Sequence, residues 1–127
     1  MSETEKLLAQ FSEDELAALQ ALYTTGKRLW DTGGGGVCVR LLLGCYNGTR
    51  FPFDLTDLRR LDGTNLNNAL TVLRMDAHCR AEVHVILRYL LSDRTVQAMF
   101  ERLAYDLGLK GRAKKADVED MWRRAAA

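Results

Sequence analysis

The chain has 127 residues, 47% hydrophobic and 28% charged, which is long enough to bury one stable core without disulfides or a metal. Its formal net charge of +1 falls well short of the basic excess that is typical of a dedicated nucleic-acid-binding protein. The charge is unevenly placed, since residues 1–32 sum to −3 and the remainder to +4, which is compatible with one positive face.

The N-terminus and the cysteines indicate a cytoplasmic protein. The first residues are acidic, whereas a secretory signal is basic and then apolar, and no run of about 18 apolar residues follows. Cys38, Cys45 and Cys79 are odd in number and lack the spacing of a disulfide framework, which predicts reduced thiols. We therefore expect a cytoplasmic protein without structural disulfides.

The N-terminal part predicts a short helix within residues 1–11 and a longer one after it. Ser12 and Glu15 have the spacing of a capping box, so the second helix should start at Ser12. Its apolar residues recur at helical spacing as far as Asp31, where we expect it to end. Gly26, inside this helix, is a point at which another helix can approach closely.

The next segment opens with four glycines and leaves two alternatives open. Gly33–Gly36 predicts a loop, because four glycines are entropically costly to order. Residues 37–51 then form either a buried helix or a hairpin that turns at Asn47-Gly48. The helix is favoured, because Pro52 would shorten the second strand and no third strand is evident.

The stretch from Arg50 to Asp62 predicts a buried corner of the fold. It holds the only proline, which fixes the angle at which the chain enters the next helix. An aspartate then stands at the cap position, a second one three residues later suits the helix dipole, and apolar residues flank them at the spacing of a hydrophobic staple. The members of this structural corner are Phe51, Pro52, Phe53, Asp54, Asp57 and Leu58.

The rest of the chain predicts helices joined by short turns. The corner helix should run to Leu61 and stop at Asp62-Gly63. Further along the chain, Ser92 should cap the helix over 96–107. The further predicted segments are a helix over 65–75, a turn over 76–80, helices over 83–91 and 96–107, a basic linker over 110–115 and a last helix over 117–124.

These patterns predict an all-α fold, a single compact domain of five to seven short helices that spans residues 1–127. Helix 1–11 and the segment 110–127 are expected to be peripheral. The predicted core consists of Leu16, Leu19, Trp30, Leu42, Phe53, Leu58, Leu70, Leu73, Ile86, Leu90, Phe100 and Leu103.

A motif in the middle of the chain resembles that of a known family. Residues 42–58 read LLGCYNGTRFPFDLTDL, and they are accompanied by Leu61-Asp62, Val72–Asp76, Glu82–His84 and, upstream, Asp31–Gly33. The motif resembles an uncharacterised family of small bacterial proteins from prophages and integrating mobile elements, over roughly residues 29–107. The resemblance implies no activity and no catalytic residues. It does imply an accessory gene of a mobile element, such as an inhibitor of host defence or a regulator.

Residues that carry chemistry elsewhere do not form a convincing catalytic set here. Gly33–Gly36 lacks the Gly-Lys-Ser/Thr ending of a phosphate-binding loop. His78, Cys79 and His84, with Cys38 or Cys45, lack the spacing of a zinc site. Cys79 has a histidine only as its neighbour in sequence, and adjacent helical side chains point apart. We therefore predict no enzyme, no cofactor and no metal.

The C-terminal segment carries the surface residues with the strongest indication of function. Tryptophan and arginine are enriched at interface hot spots, which favours binding of a protein partner. A basic linker is also suited to phosphate contacts, so nucleic-acid binding is the alternative, and a homodimer is a further option. The candidate partner-binding residues are Arg112, Lys114, Lys115, Trp122, Arg123 and Arg124.

Overall fold

The computed structural model describes all 127 residues and contains helices but no strand. In chain order these are α1 (Glu3–Leu8), α2 (Glu13–Leu29), α3 (Gly33–Tyr46), a 3₁₀ helix (Leu55–Arg60), α4 (Gly63–His78), α5 (Val83–Leu90), α6 (Val96–Asp106) and α7 (Lys115–Ala126). The all-α prediction is confirmed. The total of eight helices slightly exceeds the predicted five to seven.

Helix α2 starts where the capping box predicted. The Glu15 amide donates to Ser12 Oγ at 3.1 Å, and the Ser12 amide donates to Glu15 Oε1 at 2.9 Å. The helix ends at Leu29, two residues before the expected Asp31. A Cβ on the buried Gly26 would lie 2.8 Å from Val39 Cγ2, so this glycine does allow α3 to approach closely.

The four glycines form the first turn of α3, so the prediction of a loop at Gly33–Gly36 was wrong. Thr32 caps this turn, because its Oγ1 accepts a hydrogen bond from the Gly35 amide at 3.1 Å. The end of α2 lies so close that a Cβ on Gly35 would overlap the Leu29 carbonyl group. The low helix propensity of glycine is thus offset by packing that a larger residue would prevent.

Residues 37–46 are helical, so the helix was the correct alternative and the hairpin is excluded. Asn47 ends α3, and its amide still donates to the Leu43 carbonyl at 2.8 Å. The same residue then shapes the turn that follows: its Oδ1 accepts from the Arg50 amide at 3.1 Å and its carbonyl from the Phe51 amide at 2.9 Å.

The structural corner is capped as predicted but is less buried than expected. The Thr56 amide donates to Asp54 Oδ1 at 2.9 Å, and the helix that follows is 3₁₀. Phe51 is 3% exposed, whereas Pro52 and Asp54 lie on the surface. The other members are partly buried, namely Phe53, Asp57 and Leu58. The prediction that the corner is buried was therefore wrong for most of its members. The short 3₁₀ helix has only one side that can pack against α3.

Helix α4 is longer than the predicted 65–75. Asp62 caps this helix, because Asp62 Oδ1 accepts a hydrogen bond from the Asn65 amide at 2.8 Å. The corner therefore ends, and α4 begins, at Asp62-Gly63. The helix extends to His78, into the segment predicted as a turn. Cys79 ends it in the left-handed conformation, with φ of 49°.

Of the two α4 residues in the predicted core, Leu73 packs partly buried against the interior and Leu70 does not. Ala69, Val72 and Met75 point inward. Leu70 was expected in the core but is 46% exposed. Apolar residues surround more than one face of this helix, and the pattern did not show which face packs against α2 and α3.

The apolar stripes of α5 and α6 are confirmed. Their buried members are Val83, Ile86, Leu87, Val96, Phe100, Leu103 and Ala104. The connection between them was predicted wrongly, because Ser92 adopts φ of 49° and caps nothing. Asp93 shapes this turn instead: its Oδ1 accepts from the Thr95 amide at 2.8 Å and from the Thr95 hydroxyl at 2.6 Å.

The main hydrophobic cluster is built from α2 to α6 together with Phe11 and Phe51, and neither α1 nor α7 contributes a member. Of the predicted core, the fully buried residues are Leu19, Leu42, Ile86, Phe100 and Leu103. Those packed partly buried against the cluster are Leu16, Trp30, Phe53, Leu58 and Leu73. Leu90 is only partly buried.

Candidate partner-binding surface

The C-terminal segment consists of a linker, residues 107–114, and α7, which folds back along α6. Gly108 ends α6 as predicted, with φ of 67°. Helix α7 begins two residues before the predicted 117 and runs to Ala126. Residues near the start of α7 line a groove with the end of α6, and residues near its end line a cleft with the start of α6, so the two helices are antiparallel. Val118 is the only buried residue of α7.

An ion pair between the partly exposed Arg50 and the buried Glu101 holds the linker in place. Arg50 donates through Nη1 and Nη2 to the two carboxylate oxygens of Glu101, at 2.8 and 2.7 Å. Its Nε donates to the Gly111 carbonyl at 2.9 Å. The Tyr46 hydroxyl also donates to Glu101 Oε2, at 2.5 Å, and accepts a hydrogen bond from Gln97. This Arg50 network therefore joins α3, α6 and the linker.

The protonation behaviour of the network follows from its burial. Glu101 is 3% exposed, and burial alone would raise the pKa of its carboxyl. The hydrogen bonds from Arg50 and Tyr46 outweigh burial, so the pKa of Glu101 lies below its ordinary value. Burial and the bond to Glu101 raise the pKa of the Tyr46 phenol. The network therefore carries one buried negative charge that Arg50 neutralises.

Gly111 makes the close contact between linker and network feasible. Its φ is 80°, a conformation that side-chain-bearing residues rarely adopt. A Cβ at this position would lie 2.7 Å from the Arg50 carbonyl oxygen. Both requirements favour glycine at the point where the linker crosses Arg50.

Trp122 lies in a groove of about 390 Å³ between α6 and α7. Its ring is partly buried, and the Arg102 guanidinium lies 5.6 Å from the ring centroid. Lys115 and Arg123 line the same groove, and Asp106 lies opposite them. The groove thus combines an accessible aromatic ring with charges of both signs.

The six predicted partner-binding residues do not form one patch. Lys115, Trp122 and Arg123 share the α6/α7 groove. Arg112, Lys114 and Lys115 line a shallower depression beside the linker. The Arg112 guanidinium lies 5.7 Å from the centroid of the Tyr105 ring. Arg124 points to the other side of α7, where it forms an ion pair with Asp120 at 2.5 Å.

On that other side lies a cleft that the sequence analysis missed. It has a volume of about 480 Å³, and Arg88, Arg94 and Arg124 line it together with Gln97 and Met121. The three arginines come from α5, from the turn after it and from α7, so no local pattern in the sequence relates them. Only the antiparallel packing of α7 on α6 brings them together.

The residues considered for metal or nucleophile chemistry are separated. No group of three or more histidine, cysteine or acidic side chains has the geometry to hold a metal ion. Cys79 is exposed, whereas Cys38 is buried and Cys45 is partly buried. Burial raises the pKa of the Cys38 thiol to about 11 and that of Cys45 to about 12, so neither is a thiolate near neutral pH.

His84 belongs to the aromatic part of the interior. Its ring packs edge-on against Tyr46, with centroids 5.0 Å apart, and Tyr46 in turn packs edge-on against Phe100. Nδ1 of His84 is buried without a hydrogen-bond partner, and burial lowers the pKa of its imidazole. We assign His84 a packing position beside the Arg50 network.

The sequence of this chain matches a known protein family. The sequence profile of a family of unknown function (DUF7673) matches residues 16–108, which is more than half of the chain. The protein belongs to this family. The match extends over α2 to α6 and includes Arg50, Glu101 and Tyr46, while residues 109–127, with the linker's end and α7, lie outside it. The prediction of an uncharacterised family is thereby confirmed.

Neither the curated proteins nor the solved structures contain a significant match to this DUF7673 chain. None of its helices combines the length and the apolar character that are needed to cross a bilayer.

Proposed function

We propose that this DUF7673 protein acts without catalysis, by binding a protein partner through α7 and the groove that contains Trp122. The observation that carries the proposal is the exposure of α7: a helix that buries only Val118 presents a partly accessible tryptophan between Arg102 and Arg123. Tryptophan and arginine supply a large share of the binding energy at protein interfaces. We place this action in the cytoplasm, where its unpaired cysteines would stay reduced.

The resemblance to proteins of prophages and integrating elements supports a biological setting. In that setting the protein is an accessory factor of a mobile element, and its partner belongs to the host, for example to a defence system that the protein inhibits or to a regulatory process. The resemblance is carried by residues 42–58 and their companions within the family region, whereas the proposed contact surface lies on α7, outside that region.

The mixed charge of the groove favours a protein over a nucleic acid as its occupant. Asp106 and Glu119 line it beside Lys115 and Arg123, and carboxylates would repel a phosphate backbone. The nucleic-acid alternative rests on the linker, where Lys110, Arg112 and Lys114 form no ion pair with a carboxylate.

The test is affinity capture from a bacterial host lysate, with and without nuclease, followed by mass spectrometry. The test variants are Trp122→Ala and Arg123→Glu. The matched controls are Leu70→Ala, an exposed apolar residue, and Arg74→Glu, an exposed arginine without an ion pair, both on α4. We expect the wild type to capture one defined protein whether or not nuclease is present. Both test variants should fail to capture this protein, and both controls should still capture it.

Two results would contradict this proposal. Trp122→Ala with a lowered melting temperature but unchanged capture would show that Trp122 only packs α7 against α6. Capture that disappears with nuclease, and whose affinity falls steeply as salt rises, would move the function to nucleic acid and to the linker. A second copy of the chain is a further candidate partner, and light scattering that gives a monomer mass at high concentration would rule it out.

A further inference from the structure

From the cleft between α5, α6 and α7 we infer a second contact site, which takes an acidic segment of the partner protein. This arginine cleft is defined by Arg88, Arg94, Gln97, Met121 and Arg124. The inference rests on the proposed function and deepens it, because it states the chemistry that the partner must present. It concerns the side of α7 that faces away from the Trp122 groove.

Charge is the first argument. Three guanidinium groups line the arginine cleft, and no carboxylate is among its lining residues. Only Arg124 has an acidic partner, Asp120 on its own helix, whereas Arg88 and Arg94 are exposed and form no ion pair. Unpaired arginines that converge on one concave site are suited to bidentate hydrogen bonds with carboxylates.

The shape and the floor of the cleft are the second argument. Its volume of about 480 Å³ lies within the range of small-ligand pockets, about 300–1,000 Å³, and accommodates several side chains of a peptide. Ala98, Met121 and Ala125 contribute apolar surface to the same cleft. A single-stranded nucleic acid would call for aromatic side chains on which bases stack, and none lines this cleft. An acidic peptide with interspersed apolar residues matches this lining, because its carboxylates pair with the arginines and its apolar side chains contact the apolar residues.

The way the chain builds the cleft makes it a stable feature. Arg88 lies in the last turn of α5, and its guanidinium is 5.7 Å from the centroid of the Tyr89 ring. Arg94 lies in the turn that Asp93 fixes through its hydrogen bonds to Thr95. The backbone that carries Arg88 and Arg94 is thus ordered before binding, so the entropy lost on binding comes mainly from their side chains.

The experiment measures fluorescence anisotropy of the full chain with a labelled peptide of repeated Glu-Glu-Leu units. A peptide of repeated Gln-Gln-Leu units is the neutral probe, and an oligothymidylate of matched charge is the nucleic-acid probe. The test variant is Arg88→Gln/Arg94→Gln. The control is Arg28→Gln/Arg74→Gln, which removes two exposed arginines that also lack ion pairs from α2 and α4.

We expect saturable binding of the acidic peptide, no binding of the neutral peptide, and a loss of about tenfold or more in affinity in the test variant only. Absent binding of the acidic peptide, or equal binding by the test variant and the wild type, overturns the assignment. Tighter binding of the oligothymidylate through Arg88 and Arg94 overturns it as well, because the cleft would then serve phosphates.

The same variants in the capture experiment separate this inference from the proposed function. If capture of the partner depends on Trp122 but not on Arg88 and Arg94, the arginine cleft is not a contact site and the proposed function stands. If neither set of substitutions changes capture, the proposed function fails together with the inference. Loss of capture in both sets supports a partner that contacts both sides of α7.

Discussion

Substituting Arg50 by methionine removes the cation from the Arg50 network and leaves Glu101 buried without its counter-ion. Glu101 is 3% exposed, and two of the three hydrogen bonds that its carboxylate accepts come from the lost guanidinium, at 2.7 and 2.8 Å. Removing one partner of a buried pair costs about 3–5 kcal/mol. Because the Arg50 side chain is itself 32% exposed and Tyr46 still donates to the carboxylate, we expect about 3 kcal/mol, the lower end.

The size of this loss should depend on pH. In the wild type the pKa of Glu101 is below its ordinary value, so the pair contributes stability that is lost only when the pH falls through that lowered pKa. In Arg50→Met only the hydrogen bond from Tyr46 still opposes burial, and the pKa of Glu101 should rise above the ordinary 4.5. As the pH falls towards this raised pKa, Glu101 takes up a proton in the folded variant and the free energy of unfolding of the variant increases. The difference in stability between the variant and the wild type therefore becomes smaller.

Urea denaturation at neutral pH and at about pH 5, followed by circular dichroism, measures both effects. The matched comparison is Arg50→Met/Glu101→Gln, which removes the charge together with its partner and should be more stable at neutral pH than Arg50→Met alone. A deficit for Arg50→Met that is equal or larger at the lower pH, or a double variant that is less stable than the single one, would refute the electrostatic reasoning.

Two further predictions concern the glycines of α3 and the thiols. A Cβ on Gly34 meets nothing within 4 Å, so Gly34→Ala should stabilise the protein by about 0.5–1 kcal/mol, whereas Gly35→Ala should destabilise it by more than this, since α2 and α3 must separate. Paired thermal melts check this, and equal effects would contradict the packing argument. In the native protein Cys79 alone should react rapidly with a thiol reagent at about pH 8, because Cys45 is partly and Cys38 fully covered. Mass spectrometry of the labelled protein checks the site, and rapid labelling of Cys38 would show that the core opens easily.

Features of the fold that depend on local signals were predictable from the sequence. The capping box of Ser12 and Glu15 and the cap at Asp54 formed as expected, because their partners lie within three residues. The apolar stripes of α5 and α6 were also predictable, because their residues recur at helical spacing along one face, and that face has to meet the core. Membership of an uncharacterised family was expected from the sequence as well, and the profile of a family of unknown function matches residues 16–108.

Features that depend on distant partners were not predictable. The Gly33–Gly36 turn is helical because α2 approaches it, and Leu70 is exposed because α4 presents another face to its neighbours. Glu101 reads as one more surface residue between the apolar positions of α6, and its partner Arg50 is 51 residues away in sequence. Within the candidate site, the residue types of the tail were foreseen, but their division between two sides of α7 was not.

The Arg50 network connects the two parts of the molecule that the comparison with families separates. Arg50 and Glu101 lie in the region that defines the family, yet Arg50 also binds the Gly111 carbonyl, outside that region. Helix α7 buries only Val118 and adds nothing to the main core, so the linker that Arg50 fixes helps to position it alongside its packing on α6. Packing on α6 and this ion pair together can present Trp122 and the arginine cleft in a defined geometry, which would lower the entropy lost in the partner binding that we propose. The buried charge of Glu101 is costly for stability by itself, but through Arg50 it helps to orient α7, the helix that we propose as the contact surface.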